Sequence, residues 1–109
     1  MEDDFCLKKG ELRILLPKEV DHHNAEEIRQ RADRMLETAY VNRIVFDFSR
    51  TEFMDSSGIG VIMGRYKNIR FLGGSLNVVH VRPRVKRLLV MAGVYRLIGK
   101  EEELSLIHI

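Results

Sequence analysis

Hydrophobic and polar residues alternate in short runs along the chain, and this period of two predicts β-strands. Leu12, Ile14 and Leu16 form the apolar face of one strand, which Pro17 closes. Residues 43–48 (R-I-V-F-D-F) and 75–81 (S-L-N-V-V-H-V) predict two further buried strands. A weaker run over residues 5–9, followed by Gly10, indicates that the first strand belongs to a short hairpin.

Three stretches between and after these strands have the 3.6-residue period of amphipathic helices. The first is expected over residues 25–38, with Asp21 or Asn24 as its cap, and Asn24 and Glu27 have the spacing of a capping box. The second follows Asp55 and ends near residue 70, and the third has Pro83 in its first turn. Their apolar stripes are Ala25, Ile28, Ala32, Met35, Leu36 and Ala39, then Ile62, Met63, Tyr66 and Ile69, then Val85, Leu88, Leu89 and Ala92 before a terminating Gly93.

Strands that alternate with helices are typical of the α/β class, in which helices pack on a small mixed and mainly parallel sheet. The length of 109 residues fits one domain, which we expect to span residues 1–109. Residues 94–109 combine an apolar patch, an acidic turn and an apolar end. They indicate either a last strand or a helical turn.

Three glycines fall in the first half of the second helix, where each costs up to about 1 kcal/mol relative to alanine. Gly60 and Gly64 lie on one face, so a close approach of helix and strand is one interpretation, favoured for Gly64. The other is a flat surface for a partner. Gly58 lies nearest the serines at the start of the helix, which favours a functional role in partner approach.

Composition excludes several functional classes. Hydrophobic residues make up 45% of the chain and charged residues 31%, and no apolar run is long enough to span a bilayer. The start of the chain lacks the pattern of a secretory signal, which predicts a cytoplasmic protein. A net charge of +2 does not indicate a nucleic-acid partner. The basic runs, Arg65, Lys67 and Arg70 and then Arg82, Arg84, Lys86 and Arg87, are interpreted as solvated helix faces.

Neither the cysteine nor the histidines indicate a reactive or metal site. Cys6 is alone and is expected to be a small buried residue of the first strand. His22 and His23 are adjacent and have no further ligand at zinc spacing. We expect no bound metal and no cofactor.

The stretch from Phe53 to Gly60, F-M-D-S-S-G-I-G, predicts a turn from strand to helix that displays two hydroxyls. Four interpretations are open. A hydrolase nucleophile would need the missing first glycine of G-x-S-x-G and a base, for which only His80 and His108 are available in principle. Phosphate binding by G-I-G-V-I-M-G is a weak signal without a P-loop. A plain N-cap explains one serine, and a phosphorylation site explains the whole group.

This stretch, extended through G-V-I-M-G-R-Y-K, resembles the signature of the bacterial anti-sigma factor antagonists, the single-domain STAS proteins, and especially their sporulation branch. The resemblance continues through E-V-D-H-H-N-A-E at 19–26, G-G-S-L-N-V-V at 73–79 and P-R-V-K-R-L at 83–88, so it covers nearly the whole chain. Two departures are Pro17-Lys18, in place of a small residue and glycine, and a short C-terminal segment unlike the family's last helix.

The resemblance implies a regulated binding module and no enzyme. In the family, the unphosphorylated antagonist binds an anti-sigma factor that is also a serine kinase, and so frees the sigma factor, here the sporulation factor sigma F. The kinase uses ATP and magnesium to phosphorylate the first serine of D-S-S-G, and a PP2C-type phosphatase removes the phosphate. The implied acceptor is Ser56, and the implied partner-binding residues are Asp21, Asp55, Ser57, Gly58, Ile59 and Leu88.

Two alternatives remain at this stage. One is a general stress-response antagonist, with the same mechanism and another kinase. The other is a small nucleotide-binding or hydrolysing domain, which would need a phosphate loop and metal carboxylates that the sequence does not display.

Overall fold

The computed structural model of the protein describes residues 4–98. The chain forms, in order, β1 (Phe5–Lys8), β2 (Glu11–Leu15), β3 (Glu19–Val20), α1 (Ala25–Thr38), β4 (Arg43–Asp47), β5 (Phe53–Met54), α2 (Ser56–Phe71), β6 (Ser75–Val79) and α3 (Pro83–Met91). Residues 94–98 are also helical. No helix among the described residues has both the length and the apolar character needed to cross a membrane.

The main sheet has four strands in the order β1-β2-β4-β6. β1 pairs with β2 in antiparallel orientation through the turn at Gly10, whose φ of +84° favours glycine. β2, β4 and β6 are parallel to one another, and the helices α1 and α2 connect them. The predicted α/β class with a mixed, mainly parallel sheet is therefore confirmed.

The core lies between this sheet and the helices. Alternate residues of the three parallel strands stand in register, so Leu12, Ile44 and Leu76 form one buried row. Ile28 on α1 and Ile62 on α2 are buried in the same cluster. The period-two pattern of the strands and the 3.6-residue pattern of the helices thus converge on one apolar layer.

The other face of the sheet carries ion pairs between neighbouring strands. Arg13 Nη2 lies 3.3 Å from Asp47 Oδ2, and Arg43 Nε lies 3.7 Å from Glu11 Oε1. Asp47 ends β4, and its other oxygen lies 3.0 Å from His80 Nδ1. Burial opposes ionisation of Asp47, but hydrogen bonds from the Ser49 backbone and from His80 outweigh it, so the pKa of Asp47 lies below its ordinary value.

A second, two-stranded sheet was not predicted from the sequence, which indicated a loop over residues 49–55. β3 and β5 pair in parallel, with Glu19 opposite Phe53 and Val20 opposite Met54. Each strand has only two residues, too few to show an alternation. This small sheet joins the segment before α1 to the segment before α2.

The start of α1 differs from the predicted capping box. Asn24 is the N-cap, but its side chain makes no capping hydrogen bond to the helix. Its Oδ1 instead accepts from the Asp21 N–H at 3.0 Å, and its Nδ2 donates to the Glu19 carbonyl at 2.7 Å. Asn24 therefore stabilises the preceding turn, and the Glu27 partner that the capping box requires is not used.

Two predictions of burial are wrong. Cys6 lies on β1 as expected, but its side chain is exposed because the other face of this edge strand, marked by Phe5, points to the core. Ala92 follows the end of α3 and is exposed, whereas Val85 and Leu89 are buried as predicted. The helical period of 3.6 residues does not predict burial beyond the residue at which the helix ends.

Arg65 was assigned to a solvated face but is only 6% exposed. Its Nε lies 2.9 Å from Asp33 Oδ1, so the guanidinium links α2 to α1. Arg29 lies on the other side of Asp33, with Nη1 3.2 Å from Oδ2. Burial lowers the pKa of Arg65 below its ordinary value, although Asp33 favours the charged form. The interface between α1 and α2 therefore contains a charged pair as well as apolar side chains.

The segment after Gly93 is helical over residues 94–98, which agrees with the second of the two predicted alternatives. Val94 and Ile98 are buried in the main core. Gly93 has a φ of +79° and separates this segment from α3. The remaining predictions for the C-terminal end fall on residues 99–109, outside the described part of the chain.

Candidate functional site

The two serines lie where α2 begins. Asp55 is the N-cap, with extended backbone, and its Oδ1 accepts from the Ser57 N–H at 2.7 Å. Its carbonyl accepts from the Gly58 N–H at 3.0 Å. Asp55 thus satisfies donors that a helix start leaves free, and Ser56 and Ser57 occupy the first two helical positions.

Ser56 is the more accessible of the two serines. Its side chain is exposed, whereas Ser57 is half-buried. Within residues 4–98, no histidine or carboxylate hydrogen-bonds the Ser56 hydroxyl. His80, the described candidate for a base, instead lies 3.0 Å from Asp47. The part of the chain that the structure describes therefore offers this hydroxyl no local base of the kind that a serine nucleophile requires.

Asp21 and Asp55 are brought together by the small sheet. Each follows directly after a two-residue strand, and those strands are paired in register. The Asp55 N–H donates to the Val20 carbonyl at 3.0 Å, which continues the pairing to the start of α2. In the sequence both strands end with an apolar residue followed by aspartate, V-D and M-D, but this short repeat does not by itself predict that they pair.

The Asp21 carboxylate organises its own loop. Its Oδ1 accepts from the backbone N–H of His23 at 2.9 Å and of Asn24 at 3.4 Å. These bonds, the His23 one above all, hold the pKa of Asp21 below its ordinary value, so the carboxylate is charged at neutral pH. Asp21 does not cap α1 through its side chain, but its backbone carbonyl accepts from the Ala25 N–H at 2.9 Å. The loop therefore presents a fixed negative charge beside the serine turn.

His22 lies close to Asp55, and its neighbour His23 lies close to Asp21. His22 Nδ1 is 3.9 Å from Asp55 Oδ2, and its ring centroid is 4.0 Å from that of His23. Both rings are exposed, in a turn and not on a helix. No group of three His, Cys, Asp or Glu side chains within the described residues has the arrangement of a metal site. This pair of histidines belongs to the surface around Ser56.

Gly58 has a structural role that the sequence analysis did not assign to it. It is buried, and a Cβ atom at this position would overlap Met54 Cγ and Sδ and lie 3.1 Å from Val20 Cγ1. Gly58, assigned from the sequence to partner approach alone, is thus also needed for close packing against Met54. A side chain here would separate α2 from β5 and β3.

Gly60 and Gly64 show the opposite situation. Nothing lies within 4 Å of a Cβ built at either position, so close approach to a strand explains neither glycine. Gly60 instead forms part of an open cleft between α1 and α2, together with Ser57 and Ala25. His22 and Arg29 also line this cleft. Because Ala25, Ser57 and Gly60 have small side chains or none, the surface beside the serine turn is a shallow depression.

The other proposed contact residues lie on both sides of this turn. Ile59 is half-buried in the first turn of α2 and packs against the core. Leu88 on α3 is also half-buried, and with Phe53 and Arg84 it lines a groove between β5 and α3. The sequence analysis did not identify Phe53, although a 46% exposed phenylalanine two residues before Asp55 is a signal for a contact surface. The structure thus places Asp55, Ser57 and Ile59 in the same helix start as Ser56 and brings Asp21 to it through the pairing of β3 with β5. Leu88 lies in the separate groove beside Phe53.

Comparison with known proteins identifies the family. Residues 8–106 match the model of the STAS domain. An anti-sigma F factor antagonist of Paenibacillus polymyxa is 40% identical over 89 residues, which are 82% of this chain and 76% of that protein. An anti-sigma-B factor antagonist of Bacillus subtilis (strain 168) is 27% identical, covering 87% of this chain and 85% of the relative.

The fold agrees with these similarities. The structure of the Bacillus cell fate determinant SpoIIAA in its phosphorylated form superposes with a TM-score of 0.69 and 25% sequence identity, covering 94% of this chain and 98% of that chain. The fold described above is therefore a known one, and it includes the D-S-S-G turn, the D-H-H loop and the mixed sheet. The chain belongs to the STAS domain family, among the anti-sigma factor antagonists.

Proposed function

We propose that residues 1–109 form one STAS domain that acts as a binding switch and not as an enzyme. In its unphosphorylated state it binds an anti-sigma factor that is also a serine kinase, and thereby frees the sigma factor. The name of the Paenibacillus polymyxa relative supports sigma F as the factor released. The general stress-response alternative has weaker support, since the anti-sigma-B factor antagonist is 27% identical and the sigma F antagonist 40%.

Ser56 is the residue that the kinase phosphorylates in this proposal. The observation that carries the assignment is an exposed hydroxyl at the N-terminus of a 16-residue helix, with no acid or base hydrogen-bonded to it among the described residues. A hydroxyl in this setting depends on a docked enzyme for deprotonation and for the phosphoryl group. The kinase brings ATP and magnesium, so the domain itself needs no cofactor.

The partner contacts Asp21, Asp55, Ser57, Ile59 and Leu88 around that serine. Asp21 presents a charge fixed by its own loop, and Ile59 and Leu88 present half-buried apolar side chains. Gly58 contributes indirectly, because it allows α2 to lie against Met54. This arrangement has the character of an interface, with apolar groups beside a few well-positioned polar ones.

Phosphorylation converts the hydroxyl into a dianion directly beside Asp55. The helix N-terminus favours that charge, so the domain remains folded, whereas the complex must accommodate a bulky group where a hydroxyl fitted before. A PP2C-type phosphatase then restores the binding form. The cycle runs in the cytoplasm, where kinase, phosphatase and sigma factor meet.

The test is incubation of the purified protein with its cognate anti-sigma factor and radiolabelled ATP, followed by mapping of the labelled residue. Label on Ser56 and loss of the complex after labelling are expected. A parallel reaction with a stress-response kinase separates the two branches of the family. No label with either kinase, or label elsewhere while Ser56 stays unmodified, would refute the proposal.

A further inference from the structure

The helix α3 has a basic surface and contains no acidic residue of its own. Residues 81–98 contain no Asp or Glu, but Arg82, Arg84, Lys86 and Arg87 fall within six positions of one another. All four side chains are exposed. Arg82 donates to the Ser49 carbonyl at 3.0 Å, whereas Arg84, Lys86 and Arg87 form no ion pair within the described part of the chain.

The positive charge of these four side chains lies where it lowers the stability of the fold. The cluster begins at the N-cap of α3 and continues through its first turns, at the end of the helix that carries partial positive charge. The cations also repel one another. By contrast, the acidic residues Glu26 and Glu27 lie in the first turn of α1, where the helix dipole favours them. An arrangement that lowers stability, and that no carboxylate within residues 4–98 relieves, indicates an external anionic partner.

Apolar side chains accompany the cations on the same face. Arg84, Arg87, Leu88 and Met91 have the spacing i, i+3, i+4 and i+7, so they form one stripe along α3. Met91 is 78% exposed although it is apolar. Arg84 and Leu88 line the groove against β5, whose other wall is Phe53 and whose floor includes Met54. We define the basic stripe as Arg84, Arg87, Leu88 and Met91 with the adjoining Phe53.

We propose that the basic stripe binds an acidic and apolar segment of the anti-sigma factor, as a second contact beside the serine turn. The carboxylates of the segment lie against Arg84 and Arg87, and its apolar side chains cover Leu88, Met91 and Phe53. The inference rests on the proposed function, because it names a further surface for the same partner. The groove favours a protein segment over nucleic acid, since a phosphate backbone would leave its apolar walls uncovered.

Charge reversal tests the electrostatic half of this proposal. In the variant Arg84→Glu/Arg87→Glu, we expect the affinity for the cognate anti-sigma factor to fall by about 30-fold or more at low salt, and the difference to shrink at high salt. The variant should melt at the same temperature as the parent or higher, because acidic residues suit the first turns of a helix. Loss of binding therefore cannot result from loss of the fold.

A matched control carries the same charge change elsewhere. Arg34→Glu/Lys67→Glu reverses two exposed cations in the second halves of α1 and α2, which also lack ion pairs among the described residues. We expect its affinity to stay within about threefold of the parent. Equal losses in the two double variants would assign the effect to net charge and overturn the proposal, and so would unchanged affinity in the α3 variant.

The apolar half is tested by Met91→Asp, with Phe71→Asp as its control, because both side chains are highly exposed and lie at helix ends. Only Met91→Asp should weaken the complex with the anti-sigma factor.

A short labelled DNA duplex is the competing probe. The proposal is overturned if the parent retains the duplex and Arg84→Glu/Arg87→Glu does not, while both bind the anti-sigma factor equally. If the parent itself neither binds the anti-sigma factor nor is labelled on Ser56, the proposed function fails, which differs from a failure confined to the basic stripe.

Discussion

Met54 occupies the space that a side chain on Gly58 would need. The two residues are four positions apart, Met54 at the end of β5 and Gly58 in the first turn of α2. Because Met54 is itself 6% exposed and belongs to the core, it cannot move into solvent without losing its contacts. The glycine at position 58 therefore sets the distance between the helix that carries Ser56 and the strand that precedes it.

The substitution Gly58→Ala should consequently destabilise the domain by about 1–3 kcal/mol through overpacking. Gly60→Ala is the matched control in the same helix, where a methyl group meets open space and the gain in helix propensity is up to about 1 kcal/mol. Urea unfolding monitored by circular dichroism measures both. Equal midpoints for the two variants would contradict this account.

Asp21→Ala should weaken binding of the anti-sigma factor by about 30-fold or more, because an interfacial carboxylate loses its partner across a desolvated contact. Asn24→Ala is the control, since it removes two hydrogen bonds from the same loop and leaves the charge in place. Titration calorimetry gives both affinities. If Asn24→Ala weakens binding as much as Asp21→Ala, Asp21 acts only by holding the loop.

Ser56→Ala should bind the anti-sigma factor and remain bound in the presence of ATP, and Ser57→Ala should still be phosphorylated. Ser56→Asp should bind poorly, and a penalty of about 3 kcal/mol already weakens a complex by roughly a hundredfold. The phosphoprotein should keep the far-UV circular dichroism of the parent, because the N-terminus of α2 favours a negative charge. Label on Ser57 of the Ser56→Ala variant, or loss of helix on phosphorylation, would contradict this prediction.

Acid should destabilise the protein partly through Asp47. Burial opposes ionisation of this carboxylate, but hydrogen bonds from Ser49 and His80 stabilise the charged form more, so the pKa of Asp47 is lowered relative to the unfolded chain. A lowered pKa means that this stabilisation is complete above the ordinary aspartate pKa of about 3.9 and is lost as the pH falls through the lower folded value.

Asp47→Asn should therefore cost about 1–3 kcal/mol at neutral pH and lose less further stability than the parent on acidification. Glu37→Gln, at an exposed position of α1 without an ion pair among the described residues, is the control. Free energies of unfolding at neutral and strongly acidic pH provide the measurement. If Asp47→Asn and the parent lose the same free energy of unfolding between the two pH values, Asp47 does not contribute to acid unfolding.

Asp33→Ala should destabilise the domain by about 3 kcal/mol, because it leaves the buried guanidinium of Arg65 without its counter-charge. Replacing both partners, as Asp33→Leu/Arg65→Met, should restore most of this loss. Glu26→Ala, which removes an exposed ion pair with Arg29 and one acidic residue from the first turn of α1, should cost no more than about 1 kcal/mol. A double variant as unstable as Asp33→Ala would mean that the site does not tolerate apolar packing.

Sequence patterns predicted the main sheet and helices because these elements are long enough to show a period. Leu12 and Ile14 on β2, or Val85 and Leu89 on α3, repeat at the spacing of one buried face. β3 and β5 have two residues each and show no period, so the pairing that brings Asp21 to Asp55 could not be read from them.

The sequence predicted where α2 begins but not how the residues around its start pack. The D-S-S-G turn indicated the helix start, and Asp55 caps it as the residue type requires. Whether a glycine faces a neighbour or open space depends on what the fold brings opposite. Gly64, favoured for close approach, meets open space, and Gly58, assigned to partner approach, lies against core side chains. Arg65 was misassigned for the same reason, since Asp33 lies 32 positions away in the chain and its proximity arises only from the packing of α1 on α2.

The pairing of β3 with β5 also determines when the loops around Ser56 lose their conformational entropy. Both loops are fixed by main-chain bonds as the domain folds, including the bond from the Asp55 N–H to the Val20 carbonyl. A partner therefore meets an Asp21 loop whose backbone is already arranged, so little of the binding free energy is consumed in ordering that loop. In the proposed cycle, phosphorylation of Ser56 would then act through the added charge and not through melting of this loop.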